Sequence, residues 1–282
     1  MASSSASQSL LRGPAVLIIW GQVQTNSPRS ERHMNEWWTN EHLPERLALP
    51  GFHRTRRYYH SSAVEDESRL EASREEGGAR DESSHYLVTY EVSSLDALTS
   101  PEYMHALNNP TPGTQKYMRL MRDMQRSACR VLVSMSQQEF AGCKGGGVGG
   151  TLRHAVFQAP STPEMRTKLK DWLRRDGWTF LQTTYPSLLA MHLLEHDEKA
   201  SRSGSSTKSY DGVNFQNSNG ASGADNNSTR WMLLFEFTEP LGAPFAYYHD
   251  ECPDFDQGLV NHDVDVAEVQ KQEYGLLVVM EE

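Results

Sequence analysis

The sequence predicts an α+β protein in which two tandem βαββαβ units form one intramolecular pseudo-dimeric barrel. The strand and helix patterns occur in the same order in both halves of the 282 residues. A glycine-rich stretch separates the halves, and each half has a polar stretch between its second and third strands. Because insertions accumulate in exposed connections, extra length at one shared position indicates two copies of a single fold.

The first unit has the element order of a ferredoxin-like fold. Strand patterns of apolar and aromatic residues occur at 16–20, 52–59, 86–92 and 129–135. Helical periodicity occurs at 30–42, 95–107 and 114–124. A four-stranded sheet covered by helices on one face leaves its other face bare. We therefore expect the two sheets to pack against each other.

The second unit repeats this order. Strands are predicted at 154–158, 188–196, 231–237 and 276–280, and a helix at 163–175. Tyr90 and Phe235 lie 145 residues apart, and so do Leu132 and Leu277 in the last strands. This constant offset indicates duplication.

The remaining stretches lack the apolar residues that would offset ordering entropy. The predicted organisation is a disordered N-terminus at 1–14, a first unit at 15–141 with a disordered insert at 61–84, a linker at 142–150, and a second unit at 151–282 with a disordered insert at 197–229. The motifs are accordingly expected in the units and not in these stretches.

The composition of the chain argues against several classes of binding partner. The net charge of −10 disfavours nucleic acid, which proteins bind through an excess of Lys and Arg. Cys129, Cys143 and Cys252 form no disulfide framework and no zinc pattern. The N-terminus lacks the features of a signal peptide, and no apolar run is long enough to span a bilayer. We expect a cytoplasmic protein without a metal, a membrane or a nucleic acid as partner.

One segment carries a family resemblance. The sequence WWTNEHLPERLALPGFHRTRRY, from Trp37 to Tyr58, resembles the EthD-like group of the dimeric α+β barrel superfamily. In that group the first helix ends in a His followed two residues later by Pro, and a Pro-Gly turn leads into a strand with Arg and Tyr. Residues 86–92 and 100–103 are similar to the group's third strand and second helix. The resemblance covers about residues 15 to 140 and extends to fungal proteins of this kind, so it implies a role in fungal secondary metabolism.

The resemblance implies a ligand pocket between the sheet and the first helix, with His42 as the helix-end His. The wider superfamily includes cyclases, decarboxylases, lactone isomerases, monooxygenases and haem-dependent enzymes. Fold alone does not choose among these activities.

The residues around His42 support a chemical role but leave an alternative open. Met34, Trp38 and His42 are spaced i, i+4, i+8 and share one helix face. Pro44 disfavours helical geometry at the preceding residue, so we expect the helix to end near His42. A helix C-terminus raises a His pKa whereas burial lowers it, which predicts titration near neutrality. Alternatively, His42 only caps the helix and Trp38 only fills the core.

The second strand supplies the next candidates. Alternation places Phe52, Arg54, Arg56 and Tyr58 on one face and His53, Thr55, Arg57 and Tyr59 on the other. Arg56 is a candidate to hold an anionic or phenolic group. The alternative is that Arg56 and Arg57 pair with carboxylates such as that of Glu91 on a neighbouring strand.

The first hypothesis is a cofactor-independent lyase, cyclase, decarboxylase or isomerase that acts on a small aromatic or polyketide-like substrate. The predicted catalytic residues are His42, Tyr58 and Tyr90, and the predicted substrate-binding residues are Trp38, Arg56, Tyr86 and Trp20. The alternatives are a non-catalytic ligand-binding or stress-related protein, and a haem-binding or monooxygenase-like relative. Whether the whole chain forms a homodimer stays open.

Overall fold

The computed structural model describes residues 10–25, 27–60, 84–137, 148–213, 215, 228–239, 252–265 and 268–282. It shows a mixed α+β fold in which eight antiparallel strands close into one barrel and the helices lie outside it. Disorder or a linker is predicted for 1–9, 61–83 and 142–150. The first two stretches and most of the third lie outside the described residues, and so does Cys143.

The strands follow one another around the barrel in the order β1-β3-β2-β8-β5-β7-β6-β4. Their bounds are β1 Ala15–Val23, β2 Phe52–His60, β3 Ser84–Val92, β4 Met121–Ser136, β5 Thr151–Pro160, β6 Leu188–His196, β7 Ser228–Phe237 and β8 Gln270–Glu281. The helices are α1 Pro28–Trp37, α2 Leu43–Leu47, α3 Pro101–Asn108, α4 Pro112–Tyr117, α5 Pro163–Trp172, α6 Trp178–Thr184, α7 Glu198–Ser205 and α8 Pro253–Val260.

Strand alternation separates three cores. In β1, Val16, Ile18 and Trp20 belong to a cluster built from strand residues of both halves, together with Leu11, and this cluster fills the barrel interior. Leu17 and Ile19 point the other way and pack with α1, α3 and the π turn after α1. The second half has a matching helix-side core. An eight-stranded barrel is just wide enough for side chains to fill.

The two halves have the same strand register. Within each half the strand order is β4-β1-β3-β2 or β8-β5-β7-β6. Ala15 pairs with Val92 in the first half, and Thr151 pairs with Phe237 in the second. A register shift follows the first residue of β2 and of β6 alike. The halves meet where β2 pairs with β8 and β4 pairs with β6.

The first helix does not end at His42, so this prediction is wrong. A π turn, Trp38–His42, links α1 directly to α2, and the amide of Leu43 donates to the carbonyl of Trp38. Pro44 falls in the first turn of α2, where a helix needs no amide donor. A second π turn, Leu173–Gly177, links α5 to α6 in the same way.

Several other boundaries differ from the predictions. Leu10 and Leu11, expected in a disordered N-terminus, are buried. The helix expected at 114–124 ends at Tyr117, and β4 begins at Met121 because it pairs with β1 along residues 121–130. Part of the insert expected at 197–229 is helical, because Asp197 caps α7 by accepting from the amide of Ala200 at 2.9 Å.

Candidate functional site

The sheet of the first half divides the predicted site residues between two places. His42, Trp38, Tyr86 and Tyr90 lie on the helix side of this sheet. Arg56, Tyr58 and Trp20 lie in the barrel interior, on the opposite face. The structure therefore does not bring Tyr58 and Arg56 together with His42. Successive strand residues point to opposite faces, and the shift after Phe52 sends Arg54, Arg56 and Tyr58 inward.

Arg56 is part of a paired charge network inside the barrel. Its Nε lies 2.9 Å from Glu91 Oε1, and its Nη1 lies 2.7 Å from Glu236 Oε1. Arg54 also pairs with Glu91, and His192 Nε2 lies 3.0 Å from Glu236. Burial opposes ionisation of Glu236, but Arg56 and His192 hold its pKa far below the usual range. The pairing alternative is thus confirmed for Arg56.

Arg57 has no such partner. Its side chain is 3% exposed on the helix side of the sheet, with the guanidinium carbon 5.1 Å from the Trp38 ring centroid and 5.8 Å from that of Tyr86. Among the described residues, Nε and Nη1 have no hydrogen-bond partner and no carboxylate forms an ion pair with the group. Burial lowers the pKa of Arg57, and Tyr86 and Tyr90 oppose that shift. The pairing alternative is wrong for this residue.

His42 is buried at the end of the π turn. Its Nδ1 lies 3.4 Å from Thr114 Oγ1 and 3.9 Å from Glu45 Oε2, and its ring centroid lies 5.0 Å from that of Trp37. Burial, and then the charge of Arg46, lower the pKa of His42 well below its usual value. The helix continues past His42, so no C-terminal dipole compensates. His42 is therefore neutral at pH 7, and the prediction of titration near neutrality is wrong.

Further polar atoms on this side lack partners. Arg46 donates to Glu45 at 3.2 Å through Nη1, but its Nη2 is buried without a partner in the described part of the chain. Nε1 of Trp37 is likewise buried without a partner among the described residues. Gly113 packs so closely against it that a Cβ at this position would lie only 2.6 Å from Nε1. Unpaired buried donors are uncommon and costly, so several at one place indicate a site for an acceptor.

Of the three predicted tyrosines, Tyr86 and Tyr90 lie on the helix side of the sheet. Tyr86 donates to Glu31 Oε1 at 2.7 Å and accepts from Asn35 Nδ2 at 3.2 Å. Tyr90 lies in the same core, and burial raises its pKa above the usual range. Both hydroxyls are therefore protonated at neutral pH and remain hydrogen-bond donors.

The second half has apolar residues at the corresponding positions. Counted from the shared register shift, Leu193 of β6 corresponds to Arg57 of β2. The corresponding pairs on the strands and the π turns are Arg57 and Leu193, Tyr86 and Trp231, Tyr90 and Phe235, Trp38 and Leu173, His42 and Gly177, and Arg46 and Leu181. No side-chain atom of these six second-half residues is a buried polar atom without a partner.

Two cavities can be described. One of about 30 Å³ lies beneath α8 in the second half, between Phe235, Phe255 and Leu181. The other, of about 450 Å³, is a polar surface cleft between α4 and residues 208–211. Neither is lined by His42 or Arg57. No group of three or more His, Cys, Asp and Glu side chains among the described residues is arranged to hold a metal ion. No helix in the part of the chain described has the length and hydropathy to span a membrane.

Comparison with solved structures shows the fold. An anthrone oxidase-like protein matches with a TM-score of 0.54 and 12% identity, over 97% of this chain and 95% of that one. Weaker matches include a candidate monooxygenase from Lactobacillus acidophilus, with a TM-score of 0.45, 8% identity and coverage of 95% and 96%. A heme-degrading enzyme from Listeria monocytogenes gives a TM-score of 0.31 and 10% identity over 79% and 98% of the two chains. No family profile matches the sequence, and no curated protein matches it.

Arg57 is the residue of this site that sequence reasoning missed, because it was expected to pair with a carboxylate. A signal was available, because Tyr90 and Glu91 are consecutive in β3 and must point to opposite faces. A residue on the Tyr90 face cannot pair with Glu91. Arg46 and Thr114 had no comparable signal, since their approach to His42 depends on the π turn and on the docking of α4.

Proposed function

We propose that the first half binds a small aromatic molecule with an anionic oxygen between its sheet and the α1–α2 segment. We further propose that the chain acts on this ligand as a cofactor-independent lyase, cyclase, decarboxylase or isomerase of polyketide-like compounds. The observation that carries the proposal is the buried guanidinium of Arg57, which lies beside two aromatic rings and has no ion-pair partner among the described residues.

The charge of Arg57 defines one part of the ligand. An unpaired buried cation costs several kcal/mol, and truncating one member of a buried ion pair costs about 3–5 kcal/mol for the same reason. A carboxylate, phenolate or enolate at Nε and Nη1 would remove that cost. The guanidinium offers these donors in a planar fork that suits two oxygens.

The rings around Arg57 define the other part. Trp38 and Tyr86 have their ring centroids 5.5 Å apart, and both lie against the guanidinium. Flat aromatic ligands pack favourably on such rings. Arg57 is buried, so binding requires the π turn that carries Trp38 to open, and we expect slow association.

The imidazole of His42 is neutral and can therefore accept a proton, while its lowered pKa makes it a weaker base than free imidazole. It would take a proton from the ligand at a carbon next to a carbonyl group, and the resulting enolate would be held by Arg57. Tyr90, protonated and buried in the same core, would donate a hydrogen bond to the developing oxyanion. Tyr58, Arg56 and Trp20 are not included in this pocket, because the sheet lies between them and His42.

Three finer assignments are part of the proposal. The shared register, the two matching register shifts and the two π turns support a tandem duplication of one ferredoxin-like unit. The segment from Trp37 to Tyr58 supports an EthD-like unit. The name of the anthrone oxidase-like protein supports a polycyclic aromatic ketone as the ligand class, because anthrones are such ketones.

The test is calorimetric titration of the full chain with 3-hydroxy-2-naphthoate and with its methyl ester. We expect the acid to bind the native protein at least about tenfold more tightly than the ester. Arg57→Leu should weaken binding of the acid at least about 30-fold, because a buried charged partner is worth about 2–5 kcal/mol. Arg153→Leu is the matched control, since Arg153 lies over the Phe237 ring in the second half and pairs with Glu273.

Equal affinity of the Arg57→Leu variant and the native protein, or no binding of the acid, would refute the binding site. Turnover is measured separately by mass spectrometry of the recovered ligand. Binding without any change in the ligand would support the non-catalytic alternative and refute the enzymatic part. If turnover occurs, His42→Gln should abolish it while leaving the affinity within about threefold.

A further inference from the structure

Arg230 of β7 is a second buried cation, and it lies inside the barrel. It is 7% exposed, and no acidic group of the described chain forms an ion pair with it. Its Nε and Nη1 are buried and have no hydrogen-bond acceptor in the part of the chain that the structure describes. Its alternation with Met232 and Leu234, two members of the interior cluster, directs it inward.

Trp20 and His154 surround this guanidinium. The guanidinium carbon of Arg230 lies 5.5 Å from the centroid of the Trp20 ring. His154 and the same ring form a T-shaped pair, with the two ring centroids 4.8 Å apart. Nε2 of His154 is also buried without a partner among the residues described. Burial, and then Arg230, lower the pKa of His154 to about 3, so the imidazole is neutral and can donate one N–H.

The other charges of the interior are already balanced. Arg54 and Arg56 pair with Glu91 and Glu236. His196 lies near Arg230 at one end of the barrel. Its ring nitrogens contact Ser127 at 2.8 Å and Glu198 at 3.0 Å. Arg230 therefore adds a buried positive charge that no ion pair in the described residues neutralises, although the charge of Glu198 acts on it from a distance.

We propose that the barrel interior binds one small monoanion, such as a carboxylate of one or two carbons or a halide, between Arg230 and His154. Two donors of Arg230 and one of His154 would hold it, and the Trp20 ring would form its wall. The interior is packed with Leu87, Val156 and Met232, so larger anions are excluded. This site lies across the sheet from Arg57 and does not depend on the proposed function.

The first test is thermal unfolding of the full chain in sodium acetate and in sodium gluconate at equal ionic strength. Gluconate is a six-carbon carboxylate and is too large for the site. Acetate should raise the melting temperature of the native protein saturably, because a ligand that binds only the folded state stabilises it. In Arg230→Met the two salts should give the same melting temperature. Arg130→Met, at an exposed residue paired with Asp197, should keep the acetate effect.

A second test does not depend on a variant that folds. Crystals of the native protein soaked in sodium bromide should show an anomalous peak within hydrogen-bond distance of Arg230 and His154. The absence of a peak there would overturn the proposal. It would also be overturned if acetate and gluconate had equal effects on the native protein, or if Arg230→Met kept the acetate effect.

Discussion

The two helix layers of this protein have the same geometry and opposite polarity. In each half a helix runs through a π turn into a second helix that covers the outer face of the sheet. The first half places Arg57, His42 and Tyr90 there, whereas the second half has Leu193, Gly177 and Phe235. Since apolar residues suffice to build this layer, the fold does not require the polar groups of the first half. Among them the guanidinium of Arg57 is buried at a cost and without a partner in the described residues, and this indicates a function.

The π turns sharpen this comparison. Such turns are rare and occur frequently at functional sites. Both halves have a π turn, but only the turn of the first half ends in a residue with an ionisable side chain. His42 is the last residue of that turn, and Gly177 occupies the same position in the second half. The second turn shows that the backbone shape is part of the fold, and that the imidazole is the added feature.

The largest expected effect comes from transferring the first-half arginine to the second half. Leu193→Arg should lower the free energy of unfolding by about 3–5 kcal/mol, because it buries a cation among apolar side chains. Urea unfolding measures this change. Leu193→Met, which keeps the volume and the polarity, is the control and should cost less than about 1.5 kcal/mol. Equal stability of the two variants would show that the layers are not different in polarity.

The reverse substitution should stabilise the protein. Arg57→Leu copies the second half and removes a buried charge without a partner, so the free energy of unfolding without ligand should rise by about 1–4 kcal/mol. Urea unfolding in ligand-free buffer tests it. A large loss of stability would mean that Arg57 has a structural partner and is not reserved for a ligand.

Stability should fall as the pH is lowered from 7 towards 5. The pKa of His42 in the folded protein lies below its unfolded value of about 6.5, so the unfolded state binds more protons in this range. Stability is therefore complete above pH 6.5 and is lost below it, by at most about 1.4 kcal/mol per pH unit for one group. His42→Gln should reduce this slope, measured by urea unfolding at several pH values.

His154 provides a comparison for the same measurement. Its pKa of about 3 predicts the same sign, and its position inside the barrel makes it independent of His42. His154→Phe and His42→Gln should therefore reduce the slope additively. An unchanged slope in the double variant would contradict the assignment of both groups as neutral and buried.

The smallest expected effect concerns Tyr86, which corresponds to Trp231. Tyr86→Phe removes the hydroxyl that bonds Glu31 and Asn35, and should cost about 1 kcal/mol. Thermal unfolding is sufficient to measure it. Adding Glu31→Gln should then cost little more, since the bond is already absent. Fully additive losses would show that Tyr86 and Glu31 do not interact.

The sequence predicted the elements better than the faces that they expose. The bounds of β6 were correct at both ends, and the constant offset between Tyr90 and Phe235 agrees with the strand register. Alternation also grouped Arg54, Arg56 and Tyr58 correctly on one face, but it wrongly included Phe52, which the register shift turns to the helix side. It did not show that this face is the barrel interior, because both faces of β2 carry charged and aromatic residues.

The π turn explains the other errors about the site. A proline two residues after His42 predicts a helix end, and only a local change in hydrogen bonding lets the helix continue. That continuation brings Arg46 near His42 and removes the dipole that would have raised its pKa. Sequence periodicity contains no signal for either effect.

Nuclear magnetic resonance of the arginine side chains tests the central claim most directly. The Nε–H signal of Arg57, assigned through its loss in Arg57→Leu, is followed as 3-hydroxy-2-naphthoate is added to the native protein. We predict a saturable shift of this signal with the same dissociation constant as the calorimetric titration. A ligand that binds while the Arg57 signal stays unchanged would contradict the account.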